Sequence, residues 1–100
     1  MSIPQLTAIK YTSIEGTLND GSANTSISIS PIRVAYNVEI INDDLDANGD
    51  FSVRFNTDTS ALITVKKSET LSISDFEITA IYLTNSSGQN IAYRIRVFGI

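Results

Sequence analysis

Hydrophobic and polar residues alternate along most of this chain, which is the pattern of β-strands with one buried face. The alternation is strongest in Arg33–Ile41. The face of this segment that is predicted to be buried consists of Val34, Tyr36, Val38 and Ile40. No segment places apolar residues at the i, i+3, i+4 and i+7 positions of an amphipathic helix. The chain is therefore predicted to be all-β.

Turn-forming residues separate the alternating segments about every 8 to 12 residues. Asp20-Gly21 is a hairpin-type signal, because both residues tolerate positive φ. Ser13–Thr25 is rich in small polar residues and is predicted to be a long turn region. Strands are predicted at Leu6–Thr12, Ser26–Ser30, Arg33–Ile41, Phe51–Phe55, Ala61–Val65, Thr70–Ile73, Phe76–Leu83 and Ile91–Phe98. About eight short strands indicate an antiparallel β-sandwich, jelly-roll or immunoglobulin-like, and we expect one domain over residues 1–100.

Composition supports this class and removes several kinds of chemistry. Isoleucine, valine and threonine contribute 15, 5 and 10 residues, and these β-branched types favour strands. The chain has no cysteine and no histidine, which excludes disulfides, thiolate metal sites and an imidazole base. A net charge of −4 opposes binding to nucleic acid. The first residues lack the features of a signal peptide, and no apolar run approaches a membrane span, so no membrane partner is expected.

Carboxylate pairs could in principle act as the acid and base of a glycosidase. Most of the aspartates fall in predicted loops, and the chain has no tryptophan to stack on a sugar. We therefore expect no enzyme activity and no cofactor. The aspartates considered are Asp43, Asp44, Asp46, Asp50, Asp58 and Asp75.

The segment from Asp44 to Asp50 has the residue order of the first half of a calcium-binding loop. Its candidate ligands are Asp44, Asp46, Asn48 and Asp50. The bidentate glutamate that should close such a loop would fall on Phe55, a predicted core residue. We assign no metal site and keep two interpretations, a solvated hairpin loop or a weak calcium site.

The final strand carries apolar residues on both faces near its end. Tyr93, Ile95 and Val97 share the predicted core face, and the opposite face is formed by Arg94, Arg96, Phe98 and Ile100. One interpretation is a polar sheet surface, with an arginine paired across strands to Glu39 or Glu77. The other is a subunit interface, because arginine and aromatic residues are enriched in protein contacts and an edge strand invites another chain. We predict the interface at Arg94, Arg96, Phe98 and Ile100.

From Asn42 onward the chain resembles a recurring kind of small virion structural protein of tailed bacteriophages. The resemblance is a pattern of strands and turns with no catalytic signature. Such proteins often have glycine before the glutamate of the tight turn, where this chain has Ser68. The segments that carry it are Ser52–Asp58, Ile63–Val65, Ser68–Thr70, Ser74–Phe76, Ile81–Asn85, Ala92–Ile95 and Phe98–Gly99.

The resemblance implies a non-enzymatic part of a virion, assembled in the host cytoplasm. We expect a capsid decoration, or cement, protein that forms a homo-oligomer and contacts the major capsid protein or another virion protein. A neck, tail or fibre component is the alternative within the same class. The residues themselves leave open a carbohydrate-binding module in which the loop from Asp44 to Asp50 holds calcium.

Overall fold

A computed structural model describes residues 9–44 and 49–100 of the chain. These residues form an all-β sandwich of two packed four-stranded antiparallel sheets, which confirms the predicted fold class. No helix with the length and hydropathy of a membrane span occurs in the part of the chain that the structure describes. The strands are β1 (Lys10–Leu18), β2 (Thr25–Ile27), β3 (Ala35–Asn42), β4 (Phe51–Phe55), β5 (Ile63–Val65), β6 (Thr70–Ile78), β7 (Ile81–Thr84) and β8 (Ile91–Gly99).

The strand order identifies which kind of sandwich this is. The first sheet has the order β1-β8-β3-β6 and the second has the order β2-β7-β4-β5. Strands β1 and β8, β2 and β7, β3 and β6, and β4 and β5 are all antiparallel neighbours, so the chain is a set of nested pairs rolled into two sheets. This is the connectivity of an eight-stranded jelly roll rather than of an immunoglobulin domain.

The core lies between the two sheets and is built largely from β-branched side chains. Strand β8 supplies every second residue to it, as predicted, through Ile91, Tyr93, Ile95 and Val97. Val53, Val65 and Leu83 face these side chains from the second sheet and are fully buried. Full burial of an aliphatic side chain of this size stabilises the fold by about 1.5–3 kcal/mol.

A β-bulge in β3 overturns the prediction that Tyr36 is buried. Against β8 the pairing shifts between Ala35 and Asn37, so Tyr36 is an extra residue there. Against β6 the same step spans Ser74 to Ile78, so the extra residues lie on β6. The buried residues of β3 are consequently Ala35, Val38 and Ile40, while the Tyr36 side chain is 37% exposed. The predicted strict alternation from Val34 to Ile40 is therefore wrong. Because of the bulge, odd-numbered Ala35 before it and even-numbered Val38 and Ile40 after it lie on the same buried face.

Strand β1 is longer than predicted on its C-terminal side. It continues to Leu18, although Ser13–Thr25 was predicted to be a turn region. Ile14, Gly16 and Leu18 face inward at every second position, with the polar residues Glu15 and Thr17 between them. Gly16 lies opposite Tyr93 of β8. The first eight residues of the chain lie outside the described part.

The predicted strand Phe76–Leu83 is two strands in different sheets. Strand β6 ends at Ile78 in the first sheet and β7 begins at Ile81 in the second. Both isoleucines are fully buried although they are three residues apart. A single strand cannot place residues at that spacing on one face, so the chain breaks at Thr79-Ala80 and crosses between the sheets.

Candidate functional site

Four exposed aromatic side chains lie at one end of the first sheet, and each of its four strands contributes one of them. We call this set the aromatic row. The exposed fraction is 37% for Phe98 and for Tyr36, 52% for Tyr11 and 60% for Phe76. Half of the aromatic residues of the chain are therefore in solvent at one location rather than in the core.

Strand register pairs two of the four residues directly and places the other two at the adjacent irregularity of the sheet. Tyr11 of β1 is the direct cross-strand partner of Phe98 of β8, and their ring centroids are 4.8 Å apart with an interplanar angle of 45°. Tyr36 follows in β3, at the bulge beside the Asn37–Phe98 pair. Phe76 of β6 lies in the irregular stretch that faces this bulge, between the residues paired with Asn37 and Ala35.

The chain beyond Phe98 is tied to the start of β3. The Ile100 N–H donates to the Val34 carbonyl at 3.0 Å, and the Ile100 carbonyl accepts from the N–H groups of Arg33 and Val34. Gly99 lies between these bonds against Ala35 and has no room for a side chain. Of the two apolar residues predicted for the interface, Phe98 is exposed and Ile100 is half-buried.

Strand β8 does not lie at a sheet edge, so one argument for the predicted interface is wrong. It pairs with β1 on one side and with β3 on the other, which satisfies its backbone groups on both sides. The edges of the first sheet are β1 and β6. Any contact through the outer face of β8 must therefore be made by side chains.

The two arginines of the predicted interface pair with acids on their own sheet. Arg94 donates from Nε and Nη2 to the two carboxylate oxygens of Asp43 at 2.7 and 3.1 Å. These hydrogen bonds, with the negative charge of Asp43, raise the pKa of Arg94 above its ordinary value. Arg96 lies 3.7 Å from a carboxylate oxygen of Glu39, its direct neighbour on β3. The middle of this face is a charge-balanced polar surface, and the pair with Glu39 is one of the two pairings that the polar-surface interpretation of the sequence allowed.

A third arginine, Arg54, holds loops of the second sheet in place. Its Nε donates to the Ser60 carbonyl at 2.7 Å and its Nη1 to the Asn24 side-chain oxygen at 2.6 Å. The side chain thereby ties the loop after β4 and the loop before β2 to the sheet. We assign it a structural role.

The candidate calcium loop is described only at its two ends. Asp44 is 8% exposed, and its carboxylate accepts a hydrogen bond from Gln89 Nε2 at 2.6 Å. Asp50 is exposed and accepts from the Lys67 N–H at 3.1 Å. Asp46 and Asn48 lie outside the described residues. Each described carboxylate thus has a protein partner, and no group of three or more acidic residues suited to a metal ion occurs within the described ranges.

A buried asparagine, which the sequence analysis did not single out, orders the base of this loop. Asn42 is 1% exposed, and its side-chain amide donates to the carbonyls of Gly49 and Val65. Its side-chain oxygen accepts from the Asp44 N–H at 2.9 Å. The parity of Val38 and Ile40 along β3 places residue 42 on the buried face, so the alternation contained the signal.

No family model matches the chain, and neither a curated protein nor a solved structure has significant similarity to it. Its function is therefore inferred from the jelly-roll fold, the aromatic row and the sequence resemblance.

Proposed function

We propose that this chain is a non-enzymatic structural protein that binds other proteins through the aromatic row, and that it is a capsid decoration protein of a phage. The observation that carries the proposal is that Tyr11, Phe98, Tyr36 and Phe76, one from each strand, are exposed at the same end of the first sheet. Clusters of exposed apolar residues mark protein-interaction sites, whereas single exposed apolar residues are ordinary on protein surfaces.

The chemistry of the row suits a protein partner. Aromatic side chains supply a large contact area with few rotatable bonds, so they lose little entropy on binding. Tyr11 and Phe98 already contact each other, which fixes part of the surface before the partner arrives. Complete burial of each such ring would contribute about 1.5–3 kcal/mol.

The polar groups next to the row supply hydrogen bonds rather than acid–base catalysis. Asn37 and Ser74 are cross-strand neighbours on the line that contains Phe98. The nearest ionisable pair on the same face, Arg96 and Glu39, is internally balanced. Exposed Asp75 and Glu77 flank Phe76, so the surroundings of the row also carry negative charge. A polar rim around an apolar centre is the usual anatomy of a protein interface.

The virion assignment comes from the sequence resemblance, with a supporting analogy of fold. Jelly rolls are common in viral capsid proteins, although a fold by itself does not define a function. On a shell with many equivalent positions, a small oligomer gains affinity from simultaneous weak contacts. We therefore propose that this chain forms a homo-oligomer and that its partner is the major capsid protein.

Co-sedimentation with particles tests this proposal. Particles of the phage that encodes the chain would be prepared without it and incubated with purified protein. We expect wild-type protein to sediment with the particles, and the double variant Tyr11→Ser/Phe98→Ser to remain in the supernatant. Leu62→Ser is the matched control, since Leu62 is 49% exposed but precedes β5 in the other sheet. Absence of wild-type binding, or equal binding by the double variant, would contradict the proposal.

The same particles distinguish the alternatives that the sequence left open. Electron microscopy of bound, labelled protein would place it on the shell if it is a decoration protein, and on the neck, tail or fibres otherwise. A glycan array read with and without a calcium chelator tests the carbohydrate-binding alternative. Calcium-dependent glycan binding without particle binding would favour that alternative.

A further inference from the structure

Strand β1 has a long unpaired side at the edge of the first sheet. All nine of its residues pair consecutively with β8 without a shift of register, and no other strand of the described residues pairs with it. An unbroken edge of this length presents a row of free backbone donors and acceptors, to which another strand can add. The edge of β1 is therefore a candidate surface for binding another chain.

The other sheet edges are short or interrupted. Strands β2 and β5 have three residues each, and Lys66-Lys67 follows β5. Strand β6 is as long as β1, but its regular pairing with β3 stops at Ser74, before Asp75 with its positive φ. Short strands, charges and bulges are the features by which proteins prevent pairing at sheet edges. Strand β1 is long and has neither a bulge nor a proline.

The hydrogen bonds of β8 show which backbone groups of β1 are free. The Ile100 N–H and carbonyl bond to Val34, next to β3. The Ala92 carbonyl accepts from the Asp43 N–H, at the other end of β3, so even-numbered residues of β8 direct their backbone groups toward β3. Odd-numbered residues of β8 are directed toward β1, where they pair with even-numbered residues. The residues of β1 whose N–H and C=O groups point to the open side are therefore Tyr11, Ser13, Glu15 and Thr17.

A second copy of β1 fits this edge in one register. With a two-fold axis at Ile14, all nine residues pair, and Ser13 lies opposite Glu15 of the second copy. An axis at Glu15 would place two negative charges opposite each other, which destabilises a strand pair. An axis at Thr12 or Ser13 would leave the end of each strand unpaired. The strand that matches the edge of β1 in length and regularity is thus β1 itself, as in an isologous dimer.

The side chains at this contact are complementary. Ile14 is half-buried and packs against the core, and on the axis it would meet Ile14 of the second copy. On the outer face, Ser13 lies beside Arg96 and Glu15 lies beside Arg94 within one chain. The register at Ile14 therefore places Glu15 of one copy between its own Arg94 and, across the small Ser13, Arg96 of the other copy.

We infer that two copies of this chain pair antiparallel through β1 about an axis at Ile14, which joins their first sheets into one continuous sheet. We call this contact the β1 seam. The inference rests on the proposed function, which makes the chain a homo-oligomer, and it assigns the surface that forms the oligomer. The axis is perpendicular to the sheet, so both aromatic rows face the same side, with the two Tyr11 residues about 20 Å apart along the seam. A dimer of this form presents two rows to one shell surface, which increases avidity.

Single-cysteine variants of the full chain test the register, because the chain has no cysteine of its own. Ile14→Cys would place two thiols at the axis in a non-hydrogen-bonded pair, with Cα atoms about 4.5 Å apart, which a disulfide can span. We expect mild oxidation to link this variant into a covalent dimer on a non-reducing gel. Thr12→Cys is the matched control, since Thr12 is half-buried on the same face but would lie about 14 Å along the seam from its copy. This control should stay unlinked.

Sedimentation equilibrium supplies a second, independent measurement. We expect wild-type protein to be a dimer. Ser13→Pro removes an N–H that points away from β8, so the variant should fold but dimerise at least tenfold more weakly. Ser13→Ala keeps the N–H and should dimerise as the wild type does, while circular dichroism reports whether each variant is folded.

Three results would overturn the inference. They are monomeric wild-type protein at millimolar concentration, linkage of Thr12→Cys in place of Ile14→Cys, and unchanged dimerisation of folded Ser13→Pro. Pairing of the β1 edge with another segment of its own chain would give the first result. If Ser13→Pro does not fold, the two cysteine variants decide.

The outcomes for the β1 seam and for the proposed function can be told apart. The Tyr11→Ser/Phe98→Ser variant keeps its backbone groups and should still dimerise, although it should not bind particles. Oligomers of wild-type protein without linkage of Ile14→Cys would reject the seam and leave the proposed homo-oligomer. Linkage of Ile14→Cys with no particle binding by wild-type protein would reject the capsid proposal and leave the seam.

Discussion

Tyr11 and Phe98 contact each other on the outer face of the first sheet, with ring centroids 4.8 Å apart, although they come from opposite ends of the chain. Strand register accounts for the contact, because β1 and β8 pair antiparallel along their whole length and place these two residues directly opposite. The pair forms one half of the aromatic row. It links the fold to the surface that we propose as the binding site.

A double-mutant cycle should detect this contact as a modest stabilisation. We expect Tyr11→Ala and Phe98→Ala to lower the free energy of unfolding with a coupling of about 0.5–1 kcal/mol, the usual value for an aromatic cross-strand pair. Urea unfolding of the four proteins measures it. Additive effects would show that the rings are adjacent without interacting, and a coupling several times larger would indicate a core role instead of a surface role.

Gly99 should tolerate no side chain. A Cβ at this position would overlap the Val34 carbonyl oxygen and lie 2.8 Å from the Ala35 Cα, and both are backbone atoms that cannot move aside. We expect Gly99→Ala to destabilise the protein by about 3 kcal/mol, at the upper end of overpacking effects. Thermal unfolding would report the loss.

Gly16→Ala is the matched comparison for Gly99→Ala. Its Cβ would meet the end of the Tyr93 side chain at 2.7 Å, and that side chain can shift. The loss at Gly16 should therefore be smaller than the loss at Gly99. The opposite order would mean that the pairing of β8 with the start of β3 is misplaced.

Asn42 should matter to stability far more than its polarity suggests. Asn42→Ala leaves two buried carbonyls without their donors, and each unsatisfied group costs about 1–3 kcal/mol. Asn37→Ala, on the exposed face of the same strand, should change stability by less than about 0.5 kcal/mol. Chemical denaturation compares the two variants, and similar effects of both would contradict the assigned role of Asn42.

The pair between Arg94 and Asp43 should behave as a surface ion pair. We expect Arg94→Gln to lower the melting temperature slightly at low salt and to have no effect in about 1 M NaCl, where such pairs are screened. Particle binding should change little, because this arginine is already neutralised within its own sheet. Loss of particle binding in Arg94→Gln at unchanged stability would move the interface from the aromatic row toward the middle of the sheet.

The alternation of the sequence predicted the fold class and the core face of β8, because both depend on local periodicity. Ile91, Tyr93, Ile95 and Val97 are all buried as the pattern requires. Whether the order was jelly-roll or immunoglobulin-like depended on pairings between distant strands, which periodicity does not encode. The internal position of β8 was missed for the same reason.

The composition of the aromatic row could be predicted only in part. Phe98 was identified because it opposes the core face of its own strand. Tyr36 was assigned to the core, since the bulge that exposes it has no sequence signal of its own. Tyr11 and Phe76 join the row only through strand register, which becomes known once the sheets are assembled.

Hydroxyl-radical footprinting of the protein, free and bound to particles, tests the central claim most directly, because it reports the solvent exposure of individual aromatic side chains. The account predicts that binding lowers oxidation at Tyr11, Tyr36, Phe76 and Phe98 and leaves exposed Leu62, before β5 in the other sheet, unchanged. Unchanged oxidation of these four residues in a bound sample, or protection centred on Leu62, would contradict it.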